Sequence, residues 1–201
     1  MDQSELWADF KPNNTCLLII DMQKDFLDEG APVEIGPGRD IIPSLARLLA
    51  EARKRRTPVI HLITEFRADG IDVPPFNTGT CLNERGLREG TEGVKESEGL
   101  RPVPGEYTVI KKRYSGFLYT DLELLLSLLR MKNLIMTGVA TNYCVRSTVH
   151  DACFRGYRSV VTPECTASYT LAEHEASLKD IDTGFGYVVG MEELIKRMAA
   201  W

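Results

Sequence analysis

Residues 133–152, NLIMTGVATNYCVRSTVHDA, place a short apolar run directly before a segment with helical character. The run at 133–139 has the length and composition of a buried strand. Because it is apolar throughout instead of alternating, it is typical of a parallel strand that helices cover on both faces. Comparable runs occur elsewhere in the chain, at 15–20 (TCLLII), 58–63 (PVIHLI), 158–163 (RSVVTP) and, more weakly, 107–112 and 185–189.

Segments with helical patterns alternate with these runs. In the segment at 39–56, apolar residues recur at helical spacing. The other helical candidates lie near 120–131, 142–154, 171–181 and 191–200. Strands and helices in alternation predict an α/β fold with three layers, α/β/α, around a mostly parallel, doubly wound sheet of about six strands. We find no linker or repeat, so we expect a single domain over residues 1–201.

The composition restricts the partners that we expect. The formal net charge of −5 disfavours non-specific binding to nucleic acid or to an acidic membrane surface. No apolar stretch is long enough for a membrane span, and the first residues lack the apolar core of a signal peptide. The five cysteines are scattered, without a C-x-x-C pair, which favours a reducing compartment. We therefore expect a cytoplasmic protein.

One long connection interrupts the pattern. Residues 66–106 are rich in glycine, proline and charged residues. A connection of this length is typical of a functional lid, an oligomer contact or a mobile segment. The sequence leaves these three alternatives open.

Reactive side chains follow three of the predicted strands. Asp21 follows the first strand, Lys111 and Lys112 end the strand at 107–112, and Cys144 begins the helix after 133–139. Ligands of open parallel sheets bind beyond the carboxyl ends of the strands, so these residues meet at one edge if the strands are neighbours.

These residue types suit acyl transfer to a thiol. A carboxylate accepts the thiol proton and later delivers it to a leaving amine. A helix N-terminus and a nearby cation are expected to lower the pKa of the Cys144 thiol. Backbone N–H groups in the turn before Cys144 would face a developing oxyanion. Each residue also has an ordinary role, as core cysteine, turn-forming aspartate or solvated lysine.

Other kinds of catalytic site lack a signature in this sequence. The three histidines, His61, His150 and His174, are not placed to serve Cys144 as a base. There is no H-x-H, H-E-x-x-H or D-x-H, so no metal site is predicted. No glycine-rich nucleotide-binding motif follows the first strand, and we expect no cofactor.

Three segments resemble the isochorismatase-like cysteine hydrolase family: LLIIDMQKDFL (17–27), VIKKRYSGFLYTDLELLL (109–126) and GVATNYCVRSTVHDACFRGY (138–157). Each segment holds one of the reactive residues, in the order of the family. The resemblance implies that Asp21 accepts and donates the proton, that Lys111 is the family lysine, and that Cys144 forms a thioester-type acyl-enzyme.

The resemblance also implies backbone features and a substrate pocket. It implies a cis peptide bond between Val139 and Ala140, with the N–H groups of Ala140 and Cys144 directed at the oxyanion. Arg67 or Arg85, both in the long connection, is the candidate for holding a substrate carboxylate. Phe26 matches a pocket-wall aromatic of the family, and the further pocket candidates are Gln23, Phe117, Asn142 and Tyr143.

Two departures from family patterns bear on the substrate. The region HLITEFRADG (61–70) lacks the D-x-H metal site of the family nicotinamidases, and isochorismatases themselves lack the cysteine. KKRYSGF together with GVATNYCV is most similar to the branch that acts on ureido compounds. We therefore expect a cofactor-free amidohydrolase of a small amide or ureide, of the biuret, ureidoacrylate or N-carbamoyl type.

The sequence leaves other functions open and also bears on the oligomeric state. The alternatives are a nicotinamidase-like or other small-amide hydrolase, a redox protein that uses Cys144 as a sensor thiol, and a catalytically silent family member. The resemblance also implies a homo-oligomer, a dimer or a tetramer.

Overall fold

The structure is a computed structural model that describes residues 4–74 and 86–201. Its strands are β1 (Thr15–Ile20), β2 (Val59–Thr64), β3 (Tyr107–Lys111), β4 (Asn133–Val139), β5 (Arg158–Ala167) and β6 (Tyr187–Val188). They form one six-stranded sheet in the order β3–β2–β1–β4–β5–β6. Every neighbouring pair is parallel. The parallel, doubly wound sheet that the sequence predicted is confirmed.

Helices lie on both sides of the sheet. They are α1 (Ser4–Ala8), α2 (Lys24–Leu27), α3 (Ile42–Lys54), α4 (Leu122–Leu128), α5 (Arg146–Phe154), α6 (Leu171–Gly184) and α7 (Met191–Ala199). Short 3-10 turns occupy Gly36–Gly38 and Glu98–Leu100, and a π-helical turn, Thr141–Val145, precedes α5. The sequence predicted the five longest helices and missed the short α1 and α2.

The central strand β1 is buried on both faces, as its unbroken apolar sequence predicted. Leu17 and Ile19 pack into a core that includes residues of α3 and α7, and Leu18 and Ile20 pack into a second core beneath α4, α5 and α6. All four side chains are fully buried. A fully buried leucine or isoleucine contributes about 1.5–3 kcal/mol to folding, so this strand is a major source of stability.

The strand order creates a crevice at the carboxyl ends of β1 and β4. The chain runs outward from β1 through β2 to β3, and then crosses to β4 on the other side of β1. Ligands of doubly wound sheets bind at such a reversal. Asp21 follows β1 and Cys144 follows β4, so both residues lie at the crevice.

The described part of the long connection is packed against the domain. The N–H of Leu87 donates a hydrogen bond of 2.5 Å to Oδ2 of Asp25. Further along, Nδ1 of the buried His61 lies 2.7 Å from Oε1 of Glu96. These contacts attach the described part of the connection to α2 and to β2. Among the helices of the described chain, none has the length and apolar character needed to cross a membrane.

Candidate active site

Asp21, Lys111 and Cys144 meet at the carboxyl ends of the strands. Nζ of Lys111 lies 2.7 Å from Oδ2 of Asp21 and donates a hydrogen bond of 3.3 Å to Sγ of Cys144. Asp21 and Lys111 are 0% exposed and Cys144 is 6% exposed. The structure thus brings together the three reactive residues that the sequence singled out.

Local backbone geometry places the carboxylate and the thiol. Asp21 has a φ of 55°, in the left-handed region that aspartate tolerates better than most residues. Its N–H donates a hydrogen bond of 2.8 Å to the carbonyl of Leu62. Cys144 lies within the π-helical turn, a feature found frequently at functional sites. The hydroxyl of Thr148 donates a hydrogen bond of 2.6 Å to the carbonyl of Cys144, which ties this turn to α5.

Thr64, the last residue of β2, joins the carboxylate and the amine. Its hydroxyl donates a hydrogen bond of 2.8 Å to Oδ1 of Asp21 and accepts one of 2.6 Å from Nζ of Lys111. The sequence analysis missed this residue. Its position could have revealed it. Thr64 ends β2, and β2 lies between the strand that precedes Asp21 and the strand that ends at Lys111.

The buried charges set the protonation of the thiol and the amine. Burial raises the pKa of Cys144 well above its usual range, and the Asp21 carboxylate raises it further, while Lys111 acts in the opposite direction. The lowered pKa that the sequence led us to expect is therefore wrong, because burial and Asp21 outweigh the nearby cation. Burial alone would lower the pKa of Lys111, but the charges of Asp21 and Cys144 raise it. Both shifts favour a thiol beside an ammonium group in the resting site.

One oxygen of Asp21 is available as a proton acceptor. Oδ1 accepts the Thr64 hydroxyl, whereas Oδ2 is buried and takes no part in that hydrogen bond. Its near neighbour is the ammonium group of Lys111, with which it forms the ion pair. A carboxylate oxygen in this situation can accept a proton from the thiol.

The peptide bond between Val139 and Ala140 is cis, as the resemblance implied. Both residues are buried where β4 meets the π-helical turn. The carbonyl of Ala140 accepts hydrogen bonds from the N–H groups of Tyr143 and Val145, at 3.1 and 3.2 Å. This part of the backbone is therefore held in place beside Cys144.

A cavity of about 680 Å³ opens above the thiol. Its volume is that of a site for a small molecule. Most of its lining is apolar or aromatic, and polar groups are few. The lining includes Cys144 and Ala140, the apolar and aromatic residues Phe26, Val33, Ile35, Phe66, Leu87, Leu118, Tyr143 and Tyr169, the hydroxyl residues Thr64, Ser115 and Ser147, and the charged residues Glu34, Lys112 and Arg113.

Two of the predicted pocket residues line this cavity. Phe26 and Tyr143 are both in its wall. The ring of Tyr143 packs against Tyr114 and Tyr169, with centroids 5.2 and 6.2 Å apart. Burial raises the pKa of Tyr169 to about 12, so its hydroxyl is neutral at ordinary pH. The sequence analysis did not select Tyr169.

Gln23 and Phe117, also predicted as pocket residues, do not line this cavity. Nε2 of Gln23 donates to the carbonyls of Thr64 and Val94, at 2.8 and 2.9 Å, and its Oε1 accepts from the Thr64 N–H at 2.8 Å. These bonds occupy the amide in holding the end of β2. Phe117 is buried in the core, where its ring stacks on Tyr157 with the centroids 5.9 Å apart.

Asn142 and Arg67, two further pocket candidates, make contacts elsewhere. Neither residue lines the cavity. Oδ1 of Asn142 accepts a hydrogen bond of 2.5 Å from the Ser168 hydroxyl. Arg67 is exposed, and its backbone N–H donates to Oδ1 of Asp72 at 2.9 Å. The other candidate for holding a carboxylate, Arg85, lies outside the described residues.

No metal site is formed within residues 4–74 and 86–201, where no three His, Cys, Asp or Glu side chains are arranged to hold an ion.

Comparison with known proteins identifies the family. Residues 15–193 match the Isochorismatase domain, a range that contains all three reactive residues. The chain belongs to the isochorismatase family. The six-stranded parallel sheet with helices on both sides is the fold of that family, and solved isochorismatase-like structures superpose on it.

Relatives within the isochorismatase family include named amidohydrolases. Ureidoacrylate amidohydrolase RutB of Methylorubrum extorquens is 30% identical over 199 residues, covering 89% of this chain and 80% of its own length. An Arabidopsis thaliana protein described as a probable inactive nicotinamidase is 35% identical over 172 residues, covering 84% of this chain and 88% of its own length. A cysteine hydrolase from Pseudomonas syringae pv. phaseolicola superposes with a TM-score of 0.90 at 27% identity, covering 95% of each chain.

Proposed function

We propose that this isochorismatase-family chain is a cysteine amidohydrolase that cleaves a C–N bond of a small amide or ureide. One observation carries the proposal: the buried contacts from Asp21 to Lys111 and from Lys111 to Cys144, at 2.7 and 3.3 Å, below a cavity of about 680 Å³. The similarity to ureidoacrylate amidohydrolase RutB supports an amide substrate and, more specifically, a ureido compound.

The first step forms the bond between the substrate and sulfur. Because Cys144 rests as a thiol, Oδ2 of Asp21 takes the thiol proton as Sγ attacks the carbonyl carbon. The electron pair of the carbonyl bond moves to oxygen. The N–H groups of Ala140 and Cys144 are proposed to donate to this oxyanion, and the ammonium group of Lys111 offsets the negative charge that passes between sulfur and carboxylate.

The second step releases the amine. The protonated Asp21 donates its proton to the substrate nitrogen while the C–N bond breaks, and ammonia or an amine leaves. The product on the enzyme is a thioester of Cys144, or an S-carbamoyl thioester when the substrate is a ureide. Asp21 is again an anion beside Lys111.

Water completes the cycle. Asp21 takes a proton from water as the water oxygen attacks the thioester carbonyl. The C–S bond then breaks and the proton on Asp21 returns to the sulfur. The released product is a carboxylic acid, or a carbamic acid from a ureide. The Thr64 hydroxyl holds Asp21 and Lys111 in position through every step.

Ammonia release from chelator-treated protein tests the proposal. The panel comprises biuret, ureidoacrylate, N-carbamoyl amino acids and nicotinamide, the last to detect nicotinamidase-like activity. We expect release from at least one ureide, and no release by Cys144→Ala. Acid quenching during turnover should leave a substrate-derived mass on the peptide that contains Cys144.

Cys153 provides a matched control for the loss of the thiol. It is a partly exposed cysteine on the same helical segment, it does not line the cavity, and its Sγ lies 4.0 Å from the carbonyl of Gly184. Cys153→Ala should keep the wild-type rate. Undiminished ammonia release by a folded Cys144→Ala would refute the assignment of Cys144 as the nucleophile.

A further inference from the structure

We propose that Arg113 binds a carboxylate of the substrate, so that the substrates of this site are small carboxylic acids that carry an amide or ureide group. The inference rests on the proposed function, because it specifies which amides the site accepts. It gives Arg113 the role for which the sequence analysis had named Arg67 or Arg85 of the long connection, and Arg85 lies outside the described residues.

Arg113 is attached to the catalytic centre through its backbone. It follows Lys111 by two residues, and its carbonyl accepts a hydrogen bond of 3.3 Å from Nζ of Lys111. Arg113 is half-buried and lines the same cavity as Cys144. A substrate whose carbonyl carbon sits at Cys144 is therefore in the same enclosure as this arginine.

Neutral groups hold the guanidinium of Arg113. Nη1 donates to the carbonyl oxygens of Asp72 and Lys112, at 2.9 and 2.6 Å. No carboxylate of the residues in the structure's two described ranges forms an ion pair with it, within 4.0 Å. The guanidinium is thus fixed in position, while its charge has no anionic partner there and its Nε and Nη2 donors remain for a ligand.

The other charged residues of the cavity lining are paired. Nζ of Lys112 lies 3.1 Å from Oδ2 of Asp72. Oε1 of Glu34 lies 2.7 Å from Nη1 of Arg39. Arg113 therefore supplies the positive charge that a ligand would neutralise in an otherwise largely apolar cavity.

The geometry of a guanidinium favours a carboxylate as its partner. Its planar fork of N–H donors matches the two oxygens of a carboxylate, and charge-assisted pairs of this kind are about twice as strong as neutral hydrogen bonds. A neutral ureide of the same length would leave that charge without a partner. The site is thus expected to select acidic ureides and amides over neutral ones.

A pair of substrates that differ only in the carboxylate tests the inference. 3-Ureidopropionate and propylurea carry the same ureido group on a three-carbon chain. We expect the wild-type protein to prefer 3-ureidopropionate, and Arg113→Gln to lower kcat/KM for it by about 10- to 100-fold, the strength of hydrogen bonds to a charged group. The loss with propylurea should be much smaller than the loss with 3-ureidopropionate, and Arg113→Lys should recover part of the loss for 3-ureidopropionate.

Lys112→Gln is the matched control, because Lys112 is also a cation of the cavity lining but already has Asp72 as its partner. We expect Lys112→Gln to change kcat/KM by the same factor for both substrates. Carboxylate recognition by Arg113 would be overturned if the wild-type protein had the same kcat/KM for both substrates. It would also be overturned if Arg113→Gln lowered kcat/KM equally for both.

Binding to an inactive variant separates this inference from the proposed function. Calorimetry with Cys144→Ala should detect 3-ureidopropionate, N-carbamoylglycine or ureidoacrylate, and Arg113→Gln in that background should abolish the binding. If binding depends on Arg113 but the wild-type protein releases no ammonia, the recognition stands and the proposed function falls. If none of the three carboxylates binds, or if propylurea binds equally well, the recognition falls even where turnover occurs.

Discussion

The Thr64 hydroxyl donates a hydrogen bond of 2.8 Å to Oδ1 of Asp21, and it accepts one of 2.6 Å from Nζ of Lys111. The sheet order explains this contact. Because β2 lies between β1 and β3, the residue that ends β2 fills the space between the carboxylate after β1 and the amine that ends β3. Gln23 in turn fixes the Thr64 backbone through two hydrogen bonds of 2.8 Å.

Replacing Thr64 with valine keeps the shape of the side chain and removes the hydroxyl. We expect kcat to fall by about tenfold or more while KM changes less, because Asp21 and Lys111 lose the group that positions them. The unsatisfied buried groups should lower the free energy of unfolding by about 1–3 kcal/mol. Steady-state kinetics and urea unfolding measure the two effects. Thr64→Ser keeps the hydroxyl and should restore most of kcat, and a wild-type kcat in Thr64→Val would contradict the positioning role.

The charge of Asp21 has a predictable effect on the thiol of Cys144. Burial raises the pKa of Cys144 most, the Asp21 carboxylate raises it further, and Lys111 lowers it. Asp21→Asn removes one of the raising contributions and leaves the cation in place. We therefore expect the thiolate absorbance of Cys144 to develop at lower pH in Asp21→Asn than in the wild-type protein, although turnover is lost.

The measurement needs a correction for the other cysteines. Subtracting the absorbance of the same protein with Cys144→Ala isolates the thiol of Cys144. Circular dichroism checks that each variant is folded. A thiolate midpoint for Asp21→Asn at or above the wild-type midpoint would show that the Asp21 charge does not act on the sulfur.

The fold could be predicted from the sequence because its strands are short apolar runs separated by helical patterns. The run at 133–139 matches β4 residue for residue. Reactive residues after such strands meet at one edge in a parallel sheet, which is why Asp21, Lys111 and Cys144 could be selected together.

The pocket could not be predicted to the same extent, because the direction of a side chain depends on its packing partners. Gln23 is two residues from Asp21, yet its amide turns toward the end of β2 and away from the cavity. Phe117 follows the strand of Lys111 but packs into the core. Arg113 had no signal beyond its place beside two lysines, and its role depends on which neighbouring charges are paired.

Gly138 of β4 is a position at which we expect almost any substitution to fail. Its φ is 102°, and a Cβ there would lie 2.0 Å from the carbonyl oxygen of Ile20 in the neighbouring strand. The Ile20 backbone can relieve this clash only by distorting the sheet. Gly138→Ala should therefore lower the free energy of unfolding by at least about 3 kcal/mol or prevent folding. Urea unfolding measures this loss.

Gly184 is the matched control for this substitution. It ends α6, and a Cβ there would meet no atom within 4 Å. Gly184→Ala should leave stability unchanged or raise it by up to about 1 kcal/mol, because alanine favours the helix. Equal stability of the two alanine variants would contradict the steric role of Gly138.

Glu106, at the end of the long connection, contacts residues of helix α3 and strand β2. Nε and Nη2 of Arg53 donate to its two carboxylate oxygens at 2.8 and 3.0 Å, and the Val103 N–H donates at 2.9 Å. Nε2 of His61 lies 3.1 Å from Oε2. Burial alone would raise the pKa of Glu106, but these partners outweigh it and the pKa is lowered.

The lowered pKa of Glu106 predicts a stability contribution that is lost in acid. The unfolded chain takes up a proton at the ordinary glutamate pKa of about 4.3, above the pKa of the folded state. The contribution is therefore complete above that value and is lost as the pH falls through the folded pKa. Glu106→Gln should lower the free energy of unfolding by about 2–3 kcal/mol at pH 7, and by less as the pH falls below 4. Urea unfolding across this range measures it. The exposed Glu98 pairs with Arg101 only at 3.9 Å, so Glu98→Gln should change little at any pH, and a Glu106→Gln deficit that does not shrink in acid would contradict the linkage.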